Sequence, residues 1–533
     1  MSSNKSLPVK ANTWKKYLPL VGAVLLAAVV KSVLILQELV PFNSDEAVVS
    51  LMARHILQGA RPVFFYGQAY MGSLDAWLVA IGFRIFGEHV MVVRLVQSVL
   101  YLGYIVTVWA LARRLFEDRL IANLAVFLAA VPTVLVSTYT TATLGGYGES
   151  LIFGNLILLL GFDVTFGKMQ ERGWAWFSLG LLGGVAFWVL GLAGVYLLPV
   201  GLIGLWRFSK KHIPRYGLAA AGLILGSSPW WVYNLAHGSA AWATLAGPAG
   251  IDTSIGARVV GFLLLGLTAL LGMRSPWSPE FIAWPLLLVS MIFYLAVAFF
   301  MWWGWKNKQP QMSAGGRSLL STFTIVFTLV FVGTSFGIDA TGRYLLPMYV
   351  AIIFASAAMI GTIWRNQKYI GVGLLLMVMA VNGISTWKAA LSADGLTTQF
   401  DPITSFDNQH DEALMEFLVA QGETVGYSNY WVSFRLAFLS GETIIFSPEL
   451  PYKLDLSYTY RDNRYPVYAA IADASEKTAY ITSKHPDFDQ VLVEKFEALG
   501  VAYQEAQIGE YHIFYDLSRA VRPEELGYGD AAP

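Results

Sequence analysis

Apolar runs as long as a bilayer is thick recur along this chain, and they fix its fold class before any motif is considered. A membrane helix needs about 20 mostly apolar residues. Eleven stretches qualify: 18–37, 90–112, 119–138, 150–166, 174–190, 193–206, 217–236, 282–304, 318–336, 344–363 and 369–386. Only 14% of the 533 residues are charged and 56% are hydrophobic, against about 25% charged in a soluble domain. The formal net charge is zero, so no bulk field favours nucleic acid as a partner. The absence of cysteine removes disulfides, thiol nucleophiles and thiolate metal sites.

Lys and Arg in short loops set the orientation of such a chain. Lys5, Lys10, Lys15 and Lys16 precede the first run, and no small-residue cleavage site follows, which predicts an uncleaved signal anchor starting inside. Arg113, Arg114 and Arg119 follow the second run, Lys168 and Arg172 the fourth, and Arg207, Lys210, Lys211 and Arg215 the sixth. Lys306, Lys308 and Arg317 follow the eighth, and Arg365 and Lys368 the tenth. Every even-numbered run thus ends in a basic loop. Residues 259–272 are apolar but short, and counting them as a span puts Lys306 and Lys308 outside. They are predicted to form an interfacial or re-entrant helix on the outer face.

The expected protein is an α-helical polytopic protein of the inner or plasma membrane, with about eleven spans. Residues 1–387 form the membrane domain, and its first outer loop, 38–89, carries surface helices. From 388 to 533 the composition turns polar. Short strands are predicted at 424–427, 443–446, 479–481, 501–503 and 511–514, the last as an edge, with helices at 431–439 and 488–499. This small α/β domain is expected outside the cytoplasm, and no internal repeat is visible.

Asn43-Ser44-Asp45-Glu46 opens the first outer loop. Asn43 with Glu46 reads as a capping box, and acids suit a first helical turn, here of a surface helix running to about Leu57. Capping accounts for Glu46 and leaves Asp45 free. A carboxylate at the membrane surface is where a lipid-borne substrate meets a general base. The loop continues with Phe64, Phe65, Tyr66, Gly67, Gln68, Ala69 and Tyr70. These aromatics are either an interfacial belt or the wall of a site that touches sugar and lipid. Gln68 can bond a phosphate or a hydroxyl, whereas Asp75 reads as structural.

These features resemble the GT-C membrane glycosyltransferases, in the branch that holds protein O-mannosyltransferases and lipid A aminoarabinose transferases. The likeness rests on the acid pair, the two surface helices, the multispan layout and residues 342–347, Gly-Arg-Tyr-Leu-Leu-Pro. It covers roughly residues 14–386. It implies a hexosyl- or pentosyltransferase taking sugar from a polyprenyl-phosphate carrier on the outer leaflet, with inversion. The acceptor is a lipid, a glycan or a protein. Asp45 matches the family's catalytic acid, and Glu46 stands beside it as the second catalytic candidate. The resemblance allows a divalent cation, although no H-x-x-H or H-E-x-x-H spacing demands one.

The aminoarabinose transferases carry a lysine where this chain has Gln68, so another cation must neutralise the leaving phosphate. Arg343 is the candidate, because guanidinium clamps phosphate bidentately, and its neighbour Tyr344 joins the substrate-binding set with Tyr66 and Tyr70. Lys31, inside the first run, either reaches the site, snorkels, or pairs with Glu38. Glu149, after the glycine-rich stretch 145–148, is a second acid that relatives use for metal or acceptor contacts. The chief alternative to an enzyme is a transporter or flippase of lipid-linked sugars, which should show repeated halves and broken midplane helices.

Overall fold

The computed structural model describes residues 13–242, 253–306, 312–399, 402–405 and 408–528. Lys5, Lys10 and Lys308 lie outside the described residues. The first run is helix α1 (Leu18–Leu36), followed by surface helix α2 (Ser44–Leu57), a hairpin of β1 (Phe64–Phe65) and β2 (Gln68–Gly72), and surface helix α3 (Leu74–Phe86). Helix α4 (Val90–Leu115) returns through the apolar layer. The run at 119–138 is two pieces, α5 (Arg119–Ala130) and α6 (Val134–Tyr139), with Pro132 at the break. Next come α7 (Tyr147–Thr165), α8 (Gly173–Val189) and α9 (Gly194–Trp206). The run at 217–236 is also broken, into α10 (Ile213–Gly226) and α11 (Ser228–Ala236), where Pro229 starts a new first turn.

Helix α12 (Ile255–Leu270) contains a π-helical stretch at Phe262–Gly266. Its 16 residues span about 24 Å, short of a bilayer core of about 30 Å. Helices α13 (Trp284–Lys306), α14 (Ala314–Gly333), α15 (Tyr349–Asn366) and α16 (Lys368–Ala390) complete the membrane domain. A 3₁₀ turn at Arg343–Met348 leads into α15. Among the described residues, seven helices are long and apolar enough to cross a membrane, and the other predicted runs are shorter or broken. Burial divides the long ones: α7 and the segment Arg343–Asn366 are 72% and 78% buried, whereas α1 is 22% buried and faces outward.

The polar tail folds as α17 (Asp411–Gln421), β3 (Val425–Tyr427), α18 (Tyr430–Leu439), β4 (Ile445–Ser447), α19 (Val467–Ala474), β5 (Ala479–Ser483), α20 (Pro486–Ala498), β6 (Gln504–Ile508) and β7 (Tyr511–Tyr515). The sheet order is β4-β3-β5-β7-β6, parallel around β3 and antiparallel around β7. Two expectations are corrected. The strand expected at 501–503 begins at Gln504, and the segment at 511–515 is interior, with β6 as the edge. Gln504, Glu505 and Gln507 lack the apolar alternation that marks a strand, yet polar side chains suit an exposed edge.

Helix α2 lies between the two domains. Phe438 of α18 packs on Phe42 and Phe83, with ring centroids 5.6 and 6.0 Å apart. Tyr430, Phe434, Ala437 and Tyr468 of the polar tail share one buried apolar cluster with Val48, Leu51 and Met52 of α2. The α/β domain is therefore packed onto the element that carries Asp45.

Candidate functional site

Asn43 caps α2, its Oδ1 accepting the Glu46 backbone N–H at 3.1 Å. Asp45 and Glu46 are successive helical residues, so their side chains point about 100° apart. Glu46 turns inward and is fully buried, accepting from Arg94 Nη2 at 3.0 Å. Burial pushes its carboxyl upward, and the Arg94 charge opposes that rise. The catalytic role expected for Glu46 gives way to a structural one, because this ion pair ties α2 to α4 and faces no open volume. Asp45 is half-buried, and its Oδ1 accepts the Tyr430 hydroxyl at 2.6 Å.

Around Asp45 the hairpin and the C-terminal domain bring together groups distant in sequence. Gly67 turns the hairpin at φ +68°, and a Cβ there would meet Arg464 Cδ at 2.9 Å and Arg464 Cα at 3.0 Å. The Gln68 amide presents its oxygen to the Arg464 guanidinium and donates from nitrogen to Tyr70 Oη at 3.1 Å. Arg464 Cζ lies 5.3 Å from the centroid of the Tyr430 ring. Burial raises the Tyr70 phenol, Tyr344 and Asp45 add to the rise, and Arg464 and Arg343 oppose it, so all four surround this one hydroxyl. Asp462 is buried and pushed up to about 6 by that burial, against the pull of Arg464 and Lys453.

Arg343 starts the 3₁₀ turn after Gly342, which sits at φ +73°. Its Nη2 donates to Tyr344 Oη at 3.2 Å. Asp339, the acid four residues earlier, accepts from Thr341 at 2.7 Å. Among the described residues, neither Arg343 nor Arg464 lies within ion-pair distance of a carboxylate, and the Nε of each is buried without a hydrogen bond. Asp45, Tyr430, Arg464, Gln68 and Tyr70 thus form one connected group between the hairpin and the C-terminal domain, and Arg343 with Tyr344 acts on the Tyr70 hydroxyl of that group.

The remaining expected residues lie elsewhere. Tyr66 stacks on Tyr465 with centroids 4.9 Å apart and contacts His55 Nδ1 at 3.0 Å, so it belongs to the domain seam. Lys31 neither snorkels nor meets Glu38. It donates to Ser137 O at 3.2 Å and to the Thr140 and Thr141 hydroxyls at 2.7 Å each, closing the end of α6. Glu149 is buried beside Asp75 rather than Asp45. Asp75 accepts from Gln97 at 2.7 Å and from Thr143.

Among the described residues, no group of three or more His, Cys, Asp or Glu is placed to hold a metal. In the Asp75–Glu149 pair Gln97 and Thr143 engage Asp75, whereas both Glu149 carboxyl oxygens are buried without a hydrogen-bond partner, and two carboxyls fall short of the oxygen set a divalent cation takes. Beside the site, an apolar cavity of about 700 Å³ runs between α12, α13, α14 and α15. Phe262, Tyr294, Met301, Leu320, Met348 and Ile352 line it, and Met348 ends the turn that carries Arg343.

The fold has known counterparts. ArnT from Cupriavidus metallidurans in the apo state superposes with TM-score 0.60 at 14% identity, covering 93% of this chain and 98% of that one. The same protein bound to undecaprenyl phosphate gives 0.57 at 13% identity, covering 95% and 99%. The Archaeoglobus fulgidus oligosaccharyltransferase gives 0.53 at 11% identity, covering 94% and 73%. A family model described as dolichyl-phosphate-mannose-protein mannosyltransferase matches residues 73–233. The chain shares its fold with these structures, and its residues 73–233 are similar to that family.

An undecaprenyl phosphate-alpha-4-amino-4-deoxy-L-arabinose arabinosyl transferase of Pseudomonas fluorescens is 30% identical over 176 residues, 31% of this chain and 29% of that protein. Its counterpart in Pseudomonas aeruginosa is 29% identical over 196 residues, 35% of each. The chain therefore aligns with about a third of the length of the curated relatives it matches. The family model covers Asp75 and Glu149 and begins beyond Asp45 and Gln68.

Sequence reasoning missed Tyr430, Asp462 and Arg464. Each sits in a polar tail that reads as a separate domain, and no spacing rule links residue 430 to residue 45.

Proposed function

We propose that this protein is an inverting glycosyltransferase that moves a sugar from a polyprenyl-phosphate carrier to an acceptor hydroxyl on the non-cytoplasmic face of the membrane. Asp45 is the general base. Its carboxylate takes the acceptor proton as the acceptor oxygen attacks the anomeric carbon. The bond from that carbon to the phosphate oxygen breaks on the opposite side, and its electron pair leaves with the polyprenyl phosphate. Arg343 offsets the charge that grows on the phosphate. The apolar cavity beside Met348 suits the carrier's hydrocarbon tail.

The observation that carries this reading is Asp45 itself, half-buried and held through one oxygen by Tyr430, whose ring carries the Arg464 guanidinium. A structural acid would be paired, as Glu46 is. The likeness to an undecaprenyl-phosphate-bound fold supports the donor class. Base catalysis contributes about 10²–10⁴-fold. Purified Asp45→Asn protein should lose sugar transfer from a radiolabelled carrier lipid by that factor while keeping its thermal stability. Full transfer by this variant removes Asp45 from the mechanism, and cysteine labelling that places residue 45 in the cytoplasm removes the outer-face assignment.

A further inference from the structure

We infer that the C-terminal α/β domain completes the donor site, with Arg464 and Arg343 together receiving the phosphate of the carrier lipid. This rests on the carrier-lipid reading above and adds to it a residue and a domain.

The other buried arginines described have a carboxylate or several carbonyls within hydrogen-bond distance, although Arg94 Nε, like Arg464 Nε, has no hydrogen bond of its own. Arg94 pairs with Glu46, Arg435 with Asp411, and Arg54 with Glu88. Arg274 donates to the carbonyls of Leu265, Ser275, Ser278 and Ala340. Arg464 differs in kind. Its direct contacts are a neutral amide, Gln68, and the face of Tyr430, while the carboxylates of Asp45 and Asp462 act on it from beyond ion-pair distance. These contacts fix the guanidinium in place with no carboxylate directly against it. A desolvated cation held this way carries an unmet requirement for an anion.

The placement is built into the hairpin. Gly67 has the positive φ that a side chain resists, and the space its missing Cβ leaves is filled by the Arg464 stem. Gln68 then holds the guanidinium beside Tyr70, the hydroxyl that also feels Arg343. Two cations suit the chemistry better than one. A sugar phosphodiester carries one negative charge, and the monoester that leaves carries nearly two at neutral pH. A second guanidinium therefore binds the departing phosphate more strongly than the arriving one.

The test uses full-length protein in nanodiscs, with undecaprenyl phosphate and undecaprenol as probes. Wild type should bind the phosphate at least about tenfold more tightly than the alcohol. Arg464→Ala should lose about 10- to 100-fold on the phosphate and nothing on the alcohol, because a charge-assisted contact is removed. Arg464→Lys should recover part of the loss as a point charge without the fork. Arg461→Ala, at an exposed neighbour, should match wild type. If wild type discriminates and Arg464→Ala discriminates equally well, the Arg464 assignment is wrong while the carrier-lipid reading stands. If Arg464→Ala weakens both probes alike, Arg464 is only a clasp between domains and the inference falls. If wild type itself does not distinguish the probes, the carrier-lipid reading fails and takes this inference with it. Should Arg464→Ala not fold, Gln68→Leu removes the grip and keeps the cation; undiminished discrimination in that variant also overturns the proposal.

Discussion

The hydroxyl of Tyr430 donates to Oδ1 of Asp45 at 2.6 Å across 385 residues of sequence. A carboxylate on a membrane-surface helix is thus oriented by a side chain from the polar C-terminal domain. Among the described residues the other carboxylate oxygen, Oδ2, has no protein hydrogen bond, which leaves it for an acceptor hydroxyl. The domain thereby contributes a side chain to the proposed site.

Tyr430→Phe removes that donor and keeps the ring that packs on Phe434 and under Arg464. A hydrogen bond to a charged group contributes about 1.5–3 kcal/mol. Part of this is replaced by water at half-buried Asp45, so kcat is expected to fall about tenfold with donor KM little changed. Thermal unfolding should shift by less than about 1 kcal/mol. Steady-state kinetics check this, and an unchanged kcat shows that Asp45 does not depend on Tyr430.

Glu46 and Arg94 form a buried pair, so breaking it from one side leaves an uncompensated charge. Glu46→Gln should cost about 3–5 kcal/mol of stability, and Glu46→Leu with Arg94→Met should recover most of it. Asp45→Asn, one residue away, should leave stability near wild type. Thermal unfolding of the purified variants reads all three. A Glu46→Gln protein with wild-type stability and no transfer activity would restore Glu46 to the chemistry.

These contrasts mark what the sequence could reveal. The span pattern, the surface helix after Asn43 and the polar tail were legible because each depends on local periodicity or a local cap. Burial of Glu46 was half-legible, since the capping box already assigned it a structural task. Lys31 was misjudged for a tertiary reason, because Thr140 and Thr141 of a distant helix end satisfy it. The breaks at Pro132 and Pro229 followed from missing N–H groups, but apolar composition alone passes over them. Arg464 was illegible because its meaning lies in Gly67 and Gln68, residues it meets only through domain packing.

Asp75 gives a stability signature in pH. Burial pushes its carboxyl up to about 6, and hydrogen bonds from Thr143, Glu149, Gly145 and Gln97 work against the rise. The ordinary value is 3.8, so the folded state holds the proton more tightly than the unfolded one. Stability attributable to this group is then fully present below about pH 4 and lost as pH rises through about 6, to a total of about 3 kcal/mol. Asp75→Asn should be the more stable protein at pH 8 and show little advantage at pH 4. Equal pH dependence in both proteins, measured by thermal unfolding, contradicts the assignment.

Glu442 predicts the opposite slope at the domain seam. It accepts from Tyr468 at 2.7 Å, contacts His55 at 2.9 Å and lies 3.6 Å from Arg54. Burial opposes its charge, but the His55 and Tyr468 hydrogen bonds prevail and hold its carboxyl below the ordinary 4.5. A depressed carboxyl stabilises docking fully above its unfolded value, and that contribution is lost as pH falls through the folded one. Limited proteolysis across 391–410 should therefore accelerate below about pH 4.5 in wild type. Glu442→Gln, without the titrating charge, should show faster cleavage at neutral pH and little further change in acid. Because Tyr430 holds Asp45 only while this seam is closed, wild-type transfer activity should fall together with protection at acid pH. Activity that survives opening of the seam in wild type separates the base from the domain and refutes the shared site.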